Sequence, residues 1–241
     1  MSVPVPHTAM VLAAGLGTRM RPLTDDCPKP LIEVRGKALI DRALDPLVEA
    51  GVQRAVVNVH YLADQVEAHL KSRTDIEIII SDERGEVLET GGALAKARRL
   101  LGDDPVFVAN TDAFWEPASP APLTALVEAF DPAVMDALLL VADTGRTLGF
   151  GGPGDFFLHD DGAMTRRGEA PTAPYAFCGM RIIRPQLYDN EPVERFSALR
   201  VWEPLIPQRR LRGLVLDAFW LHVGDPQALE DANMWLACHG G

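Results

Sequence analysis

Short apolar runs alternate with longer amphipathic segments over residues 1–145. Short unbroken apolar runs predict buried strands, whereas apolar residues that recur every three or four positions predict helices that bury one face. The strands predicted in this way are 8–13, 31–34, 55–59, 76–80, 105–109 and 136–142, and the helices are 39–48, 62–70, 90–101 and 123–130. Since strands that alternate with helices form βαβ units, the pattern predicts an α/β domain with a largely parallel sheet.

The pattern changes near residue 146, where glycines become frequent. The segment Phe156-Phe157-Leu158, followed by Asp160-Asp161-Gly162, predicts a hairpin with a tight turn. The other predicted elements are a strand at 175–183, a short helix from 184, a helical segment at 195–206, strands at 214–216 and 219–223, and a closing helix at 226–239. We expect residues 146–241 to form an antiparallel or mixed lid beside residues 1–145, within a single domain that spans 1–241.

A glycine loop follows the first predicted strand, in the segment LAAGLGTRMRPLTDDCPKP that begins at Leu12. Gly15 and Gly17 let backbone N–H groups approach a ligand closely, and nearby arginine and lysine side chains add positive charge. The spacing fits neither G-x-x-x-x-G-K-[ST] nor G-x-G-x-x-G, because Met20 stands where the third glycine would fall. Glycines at such a turn also serve merely to pack a strand against a helix. The added charge favours an anion such as a polyphosphate.

The same segment resembles the nucleotide-binding loop of the sugar-1-phosphate nucleotidyltransferases, whose pattern L-A-A-G-x-G-T-R-x-x-P-L-T followed by P-K-P is present from Leu12 to Pro30. The resemblance implies a Rossmann-like three-layer sandwich with a mixed, mostly parallel central sheet and a small antiparallel sugar-binding lid, the nucleotide-diphospho-sugar transferase fold. It also implies transfer of a nucleotidyl group from an NTP to a sugar 1-phosphate, with release of pyrophosphate. By resemblance, the nucleotide contacts fall to Leu12, Ala13, Ala14, Gly15, Gly17 and Thr18, and the charge-neutralising catalytic groups are Arg19 and Lys29.

A second glycine turn lies at Thr90-Gly91-Gly92. On physical grounds it has two interpretations: a helix N-terminus with bare amides that attract phosphate or a sugar hydroxyl, or simple capping of the helix by Thr90. The family carries a T-[AG]-G-[AG] turn here, which assigns Gly92 to the nucleotide and Thr90 to the sugar phosphate. Glu83 is expected to accept a hydrogen bond from the base, although uracil and guanine both offer a suitable N–H.

The tripeptide Asn110-Thr111-Asp112 follows the buried strand 105–109. A carboxylate at the carboxyl end of such a strand can hold Mg²⁺ against phosphate oxygens, or it can simply cap a loop. The resemblance places the catalytic, metal-binding Asp at Asp112. It also assigns sugar-phosphate contacts to Asn110, Asp155 and Gly179.

The chain departs from the family where relatives usually read W-x-D-x-G-T, because His222 replaces the second metal-binding Asp. One interpretation is that Asp112 and waters hold Mg²⁺, while His222 hydrogen-bonds a phosphate or a neighbouring strand. The other is that His222 is a ligand and the metal preference has moved toward Mn²⁺, Co²⁺ or Zn²⁺, which accept nitrogen more readily. Asp225 is expected to cap the closing helix.

The form L-E-T-G-G at 88–92 resembles the branch of the family that uses UTP and N-acetylmuramate 1-phosphate in peptidoglycan recycling. Mannose- or heptose-1-phosphate with GTP is the next expectation within the family. A function of another class, a non-catalytic nucleotide-sugar sensor, draws support from the missing second carboxylate. Release of pyrophosphate in the presence of any sugar 1-phosphate distinguishes an enzyme from a sensor.

Composition adds limits on partners and location. The chain has 23 basic and 34 acidic residues, and the resulting net charge of −11 disfavours nucleic acid and anionic membranes as partners. Its three cysteines show no C-x-x-C spacing, and the start of the chain lacks the features of a signal peptide, so we expect a soluble cytoplasmic protein. The basic run at 209–212 is interpreted as a solvated face or an oligomer contact, in a monomer or a homodimer.

Overall fold

The computed structural model describes residues 4–239. The strands are Thr8–Leu12 (β1), Glu33–Val34 (β2), Lys37–Ala38 (β3), Arg54–Val59 (β4), Glu77–Asp82 (β5), Val106–Asn110 (β6), Ala113–Glu116 (β7), Ala137–Asp143 (β8), Thr147–Leu148 (β9), Phe156–Leu158 (β10), Met164–Arg166 (β11), Tyr175–Ile183 (β12), Leu211–Val215 (β13) and Phe219–His222 (β14). The α-helices are Leu39–Glu49 (α1), Ala63–Leu70 (α2), Glu89–Leu101 (α3), Ala121–Ala129 (α4), Leu199–Trp202 (α5) and Pro226–His239 (α6). Short 3₁₀ helices occupy Thr18–Met20, Lys29–Leu31, Pro185–Tyr188 and Glu203–Leu205.

The central sheet contains nine strands. Its main path runs β11-β10-β12-β6-β1-β4-β5, and β8 pairs with β12 and with β13. The strands β6, β1, β4 and β5 are parallel, whereas β12 is antiparallel to β6 and to β8. The predicted mixed sheet with a parallel centre is confirmed.

Both faces of the sheet are covered, which explains why its strands are apolar without interruption. Successive side chains of a strand point to opposite faces. In β1, Val11 packs in the cluster beneath α1, α2 and α4, whereas Met10 packs in the cluster with α3 and α5. The chain therefore forms the three layers that were expected. Within residues 4–239, no helix combines the length and apolar character needed to cross a membrane.

Two features differ from the sequence-based prediction. The strand β12 is part of the central sheet, and the antiparallel hairpin β10–β11 extends the same sheet at its edge, where Phe156 of β10 pairs with Tyr175 of β12. In addition, β7, β14 and β9 form a small second sheet. The short strands β7 and β9 were not predicted, because four and two residues are too few to show a period.

The basic run at 209–212 is accounted for within the chain. Arg209 forms an ion pair with Asp161, Arg210 with Asp136, and Arg212 donates to the backbone carbonyl of Asp161. These contacts fasten β13 and the turn before it to the neighbouring segments. An oligomer contact is not needed to explain the run.

Candidate active site

The carboxyl ends of the parallel strands meet at one edge of the central sheet. Leu12, at the end of β1, is in register with Asn58 of β4 on one side and with Asn110 of β6 on the other. A cavity of about 310 Å³ opens at this edge. Its position is the one where open α/β sheets bind their ligands, and its size suits a small molecule.

The glycine loop forms one wall of this cavity. Gly17 adopts a left-handed conformation with φ 63°, and a Cβ atom there would lie 3.0 Å from Thr24 and 3.1 Å from Lys29. The loop is closed by Thr24, whose hydroxyl donates to the Gly17 carbonyl at 2.8 Å. Among the described residues, the backbone amides of residues 14–19 donate no hydrogen bond. Unpaired amides in sequence beside a cavity suit an anion such as a phosphate chain.

The floor of the cavity is a hydrogen-bonded chain that joins three strand ends. Asn58 accepts from the backbone amide of Ala13 at 2.8 Å and donates to Glu83 at 2.9 Å. The other oxygen of Glu83 accepts from the amide of Leu88 at 3.2 Å. Burial raises the pKa of Glu83, against the opposing effect of these hydrogen bonds. Glu83 and Asn58 both line the cavity and also fix its floor.

A compact group of ionisable side chains lies at the carboxyl end of β6. Lys29 Nζ is 3.0 Å from Asp112 Oδ2, and His222 Nε2 is 3.7 Å from the same oxygen. The sheet explains this proximity, because β7 begins directly after Asp112 and pairs with β14 so that Ala113 is opposite His222. Burial would raise the pKa of Asp112, but the contact with His222 and the charge of Lys29 outweigh it and hold this pKa well below its usual range. Asp112 is therefore a carboxylate at neutral pH.

The orientation of His222 fits a divalent cation. Its Nδ1 atom lies 3.3 Å from the carbonyl oxygen of Gly149. Without a cation, a hydrogen on Nε2 donates to Asp112; with a cation bound, the hydrogen of the neutral ring would be on Nδ1, facing Gly149, and Nε2 would offer its lone pair. That lone pair and the Asp112 carboxylate are then two acceptors side by side, and a ligating imidazole is commonly oriented by such a backbone contact. Within residues 4–239, no group of three or more His, Cys, Asp or Glu side chains could enclose a metal. A cation here would complete its shell with phosphate oxygens and water.

Gly224 keeps space for the His222 ring. A Cβ atom at this position would lie 2.7 Å from Cε1 of His222, and Gly224 itself lines the cavity. The following residue, Asp225, accepts from the amide of Ala228 at 2.9 Å and so caps α6, as predicted. In the segment after β14, Gly224 therefore leaves room for the His222 ring at the site, and Asp225 caps the closing helix.

A second cavity, of about 250 Å³, adjoins the first. The two share Thr90 and Asn110 as lining residues, so a ligand can extend from one to the other. The second cavity is walled by β10, β12, the residues before α5 and the aromatic rings of Phe156, Phe177 and Trp202. Two adjacent cavities, one beside anion-binding amides and one with aromatic walls, suit a polyphosphate and a sugar.

Comparison with known proteins decides the family. A profile of the family described as Nucleotidyl transferase matches residues 8–152. The chain belongs to the nucleotidyl transferase family. It is 49% identical to the N-acetylmuramate alpha-1-phosphate uridylyltransferase of Caulobacter vibrioides, over 96% of this chain and 98% of that protein. The Neisseria meningitidis protein of the same name is 34% identical, over 93% of this chain and 96% of that protein. The solved structure of the inositol-1-phosphate CTP transferase from T. maritima has a TM-score of 0.78 at 17% identity, with 94% of this chain and 92% of that chain covered, and so supports the fold alone.

Most residues that the nucleotidyl transferase resemblance assigned to the site lie together around the two cavities. The first cavity is lined by Leu12, Ala14, Gly15, Gly17, Thr18, Arg19, Lys29, Glu83, Thr90, Asn110 and Asp112. Ala13 lies behind the loop and is held by Asn58, and His222 reaches the site through Asp112. Asp155 lines the second cavity and accepts from the amide of Phe177 at 2.9 Å.

Gly179 does not line either cavity but shapes one wall. It lies at a bulge in β12 with φ 93°, and a Cβ atom there would lie 3.2 Å from Cβ of Asn110. Its contact with a sugar phosphate stays a prediction, whereas its packing against Asn110 is a feature of the structure. A non-glycine residue at this φ would strain the strand and press on Asn110.

The expectation of bare amides at Gly91 and Gly92 is wrong. Both amides donate to the backbone carbonyl of Phe196, at 2.9 and 3.2 Å, and a Cβ atom on Gly92 would lie 1.9 Å from the carbonyl oxygen of Glu194. Gly92 therefore permits close backbone packing and is not among the residues that line the first cavity. The alternative of capping by Thr90 is also wrong, because α3 begins at Glu89 and the Thr90 hydroxyl accepts from the amide of Ala198.

Several residues that line the first cavity were not predicted as site residues, among them Val87 and Glu89. Glu89 has a left-handed backbone with φ 57°, which is uncommon for a residue with a side chain. The sequence carries no local signal for this conformation, because it arises where α3 turns to meet the segment around Phe196.

Proposed function

We propose that this chain transfers the uridylyl group of UTP to N-acetylmuramate 1-phosphate and releases pyrophosphate. The proposal is supported by the 49% identity to the Caulobacter uridylyltransferase over nearly the whole of both chains. The observation that carries it is the pair of contiguous cavities, which meet at Thr90 and Asn110 beside the Asp112–Lys29 ion pair. Two substrates can thus lie end to end with their phosphates at the charged group. Peptidoglycan recycling in the cytoplasm is the role that this reaction would serve.

The reaction requires no protein nucleophile. A phosphate oxygen of the sugar 1-phosphate attacks the α-phosphorus of UTP in line, and pyrophosphate leaves. The chain contributes positioning and charge: the amides of residues 14–19 bind the triphosphate, while Arg19 and Lys29 neutralise the charge that develops on it. Asp112 holds the ammonium group of Lys29 in place at 3.0 Å. Asn110, shared by the two cavities, is placed to contact the acceptor where its phosphate meets the nucleotide.

Asp112 and His222 would hold the divalent cation on which this family generally depends. When bound, such a cation supplies further positive charge to the phosphate oxygens. The cation is proposed to be Mg²⁺, with Mn²⁺ or Co²⁺ as replacements that accept the imidazole nitrogen more readily.

A substrate panel tests the proposal. Purified protein is incubated with UTP or GTP, a divalent cation and one of several sugar 1-phosphates, and pyrophosphate release is measured. The expected result is turnover with UTP and N-acetylmuramate 1-phosphate at a kcat/KM well above every other pair. Higher kcat/KM with GTP and mannose 1-phosphate would overturn the assigned substrates. No turnover with any pair, together with tight binding of a nucleotide sugar, would favour the sensor instead.

A further inference from the structure

Arg181 is a buried cation that has no acidic partner within residues 4–239. It is 1% exposed and lies on β12 at the base of the second cavity, which it lines. Its Nη1 atom donates to Asn110 Oδ1 at 3.4 Å, whereas Nε and Nη2 have no hydrogen-bond partner within the described residues. Burial lowers the pKa of Arg181 to about 10, so the guanidinium is still charged at neutral pH.

The surroundings of Arg181 offset this charge only in part: Tyr188 favours the charged form, but burial outweighs it, and no hydrogen bond joins the two side chains within residues 4–239. Its guanidinium carbon lies 5.0 Å from the ring centroid of Trp202 and 5.3 Å from that of Phe177. Aromatic faces attract a cation, but they do not accept the two N–H groups of a guanidinium edge. By contrast, Arg184 on the adjacent segment and Arg210 both pair with Asp136. A buried charge without a partner is costly, and such a cost is often retained for a functional reason.

The two unpaired atoms identify the chemistry of the missing partner. Nε and Nη2 lie on the same edge of the guanidinium, and this edge pairs with a planar carboxylate through two parallel hydrogen bonds. Because neither atom has a partner, turning this edge toward a ligand breaks no hydrogen bond that it already makes. The site therefore suits a carboxylate better than a neutral hydroxyl group.

A second arginine lies at the rim of the same cavity. Arg166 on β11 is exposed, lines the cavity and stands 5.4 Å from the ring centroid of Phe156. The acidic side chain among the lining residues is Asp155, and one of its oxygens already accepts from the Phe177 amide. The lining thus carries two positive charges and one negative charge, which favours an anionic substituent on the ligand.

We propose that the second cavity selects a sugar 1-phosphate that bears a carboxylate, with Arg181 as the specificity-determining residue and Arg166 as a weaker contact at the rim. This inference rests on the proposed function. N-acetylmuramate differs from N-acetylglucosamine by a lactyl ether that carries one carboxylate, so the two 1-phosphates form a matched pair of substrates. Arg181 acts on the choice of acceptor, whereas Lys29 and Arg19 act on the phosphates that both acceptors share.

The test is the ratio of kcat/KM for N-acetylmuramate 1-phosphate to that for N-acetylglucosamine 1-phosphate. It is measured with UTP for the wild type, Arg181→Lys, Arg181→Met and Arg166→Gln. Arg99→Gln, which removes an exposed arginine near the end of α3, is the control. Circular dichroism and the melting temperature establish that each variant is folded. If Arg181→Met does not fold, the ratio measured for the surface variant Arg166→Gln still tests the inference.

We expect the ratio to fall about 30-fold or more in Arg181→Met, because one partner of a buried charged pair is lost, and mainly through KM for the muramate substrate. Arg181→Lys should retain part of the selectivity, and Arg166→Gln should lower the ratio by about 2- to 5-fold, as is usual for an exposed ion pair. An unchanged ratio in the Arg181 and Arg166 variants, or an equal loss with both acceptors, would overturn the inference alone. No turnover of N-acetylmuramate 1-phosphate by the wild type would contradict the proposed function, and the inference with it.

Discussion

Lys29 is the cation that the fold places most firmly at the proposed reaction centre. Its side chain is 12% exposed and bound to Asp112, whereas Arg19 lines the cavity from the exposed part of the glycine loop. Lys29→Ala and Arg19→Ala should each lower kcat/KM by about 10²- to 10³-fold, the scale for losing one group that stabilises developing charge. Steady-state measurements of pyrophosphate release check this.

Arg21 provides a matched control for these two substitutions. It belongs to the same loop, its side chain is 63% exposed and it forms an ion pair with Asp25 at the surface. Arg21→Ala should therefore leave kcat/KM within about 2-fold of the wild type, because an exposed ion pair contributes little. Comparable losses in Arg19→Ala and Arg21→Ala would mean that general surface charge, and not the cavity, sets the rate.

His222 decides the metal preference in the proposed site. If its Nε2 ligates the cation, the wild type should be more active with Mn²⁺ or Co²⁺ than with Mg²⁺, and His222→Asp should shift the preference toward Mg²⁺. Metal titrations of activity in both proteins measure this. Asp225→Asn is the control, because asparagine caps a helix as well as aspartate does and should leave the metal profile unchanged. Identical Mg²⁺ and Mn²⁺ profiles in the wild type and His222→Asp would exclude ligation by His222.

The sequence predicts the residues whose roles depend on local spacing and misses those whose roles depend on tertiary contacts. The loop residues and Asp112 were predicted because a strand followed by glycines or by a polar tripeptide has a known place in a parallel sheet. Asn58 has no local signal for its place in the site, because its partner, Ala13, is 45 positions away in the chain. Arg181 gave no signal at all, since an arginine within a nine-residue strand has no sequence feature that marks it as unpaired.

The amino-terminal end of α3 depends on close packing against the segment 194–198. Gly92→Ala would bring a methyl group to 1.9 Å from the carbonyl oxygen of Glu194, and backbone atoms cannot move aside as a flexible side chain can. We expect a loss of about 1–3 kcal/mol in the free energy of unfolding. For a chain of this size, this lowers the melting temperature by about 2–4 °C for each kcal/mol.

Gly85 is the matched control for this substitution. A Cβ atom on Gly85 would meet no atom within 4 Å. Gly85→Ala should therefore change the free energy of unfolding by less than about 0.5 kcal/mol. Equal melting temperatures for Gly85→Ala and Gly92→Ala would contradict the packing role assigned to Gly92.

Glu83 joins the ends of β4 and β5 and makes the stability of this region depend on pH. Because burial raises its pKa in the folded state, its contribution to stability is fully present below the ordinary glutamate pKa of about 4.3. The contribution is lost as the pH rises through the raised value. The free energy of unfolding of the wild type, minus that of Glu83→Gln, should thus decrease as the pH is raised from about 4 to about 7. Urea denaturation across this range measures the difference, and a flat or rising difference would show that Glu83 is not the group responsible.

Helices and strands were predictable where a period extends over enough residues. The closing helix has its predicted bounds, 226–239, and β12 has its predicted bounds, 175–183. The strands β7 and β9 and the bulge in β12 arise from pairing between distant segments, which a local pattern does not encode. Asp112 lies beside His222 because β7 pairs with β14. The proposed pair of metal-binding residues therefore forms only through tertiary structure.

The whole molecule is acidic, yet basic side chains line both cavities. Against a net charge of −11, the two cavities together gather Arg19, Lys29, Arg166 and Arg181. The first cavity is also lined by Glu83, Glu89 and Asp112, so it suits an anion through the backbone amides of residues 14–19 and the individual cations Arg19 and Lys29, and not through a net positive lining. The single sheet that runs through both parts of the chain holds the two cavities in fixed relation, since β12 pairs with β6.

Transfer of label from [α-³²P]UTP to N-acetylmuramate 1-phosphate tests the central claim most directly. The label is followed by chromatography with the wild type and with Asp112→Asn, which keeps the shape of the side chain but removes the charge that holds Lys29 and would bind the cation. We predict labelled UDP-N-acetylmuramate with the wild type and a loss of about 10²-fold or more in Asp112→Asn, on the scale expected for a charge-stabilising group. Equal transfer by both proteins, or transfer by the wild type to other sugar 1-phosphates but not to this one, would contradict the account.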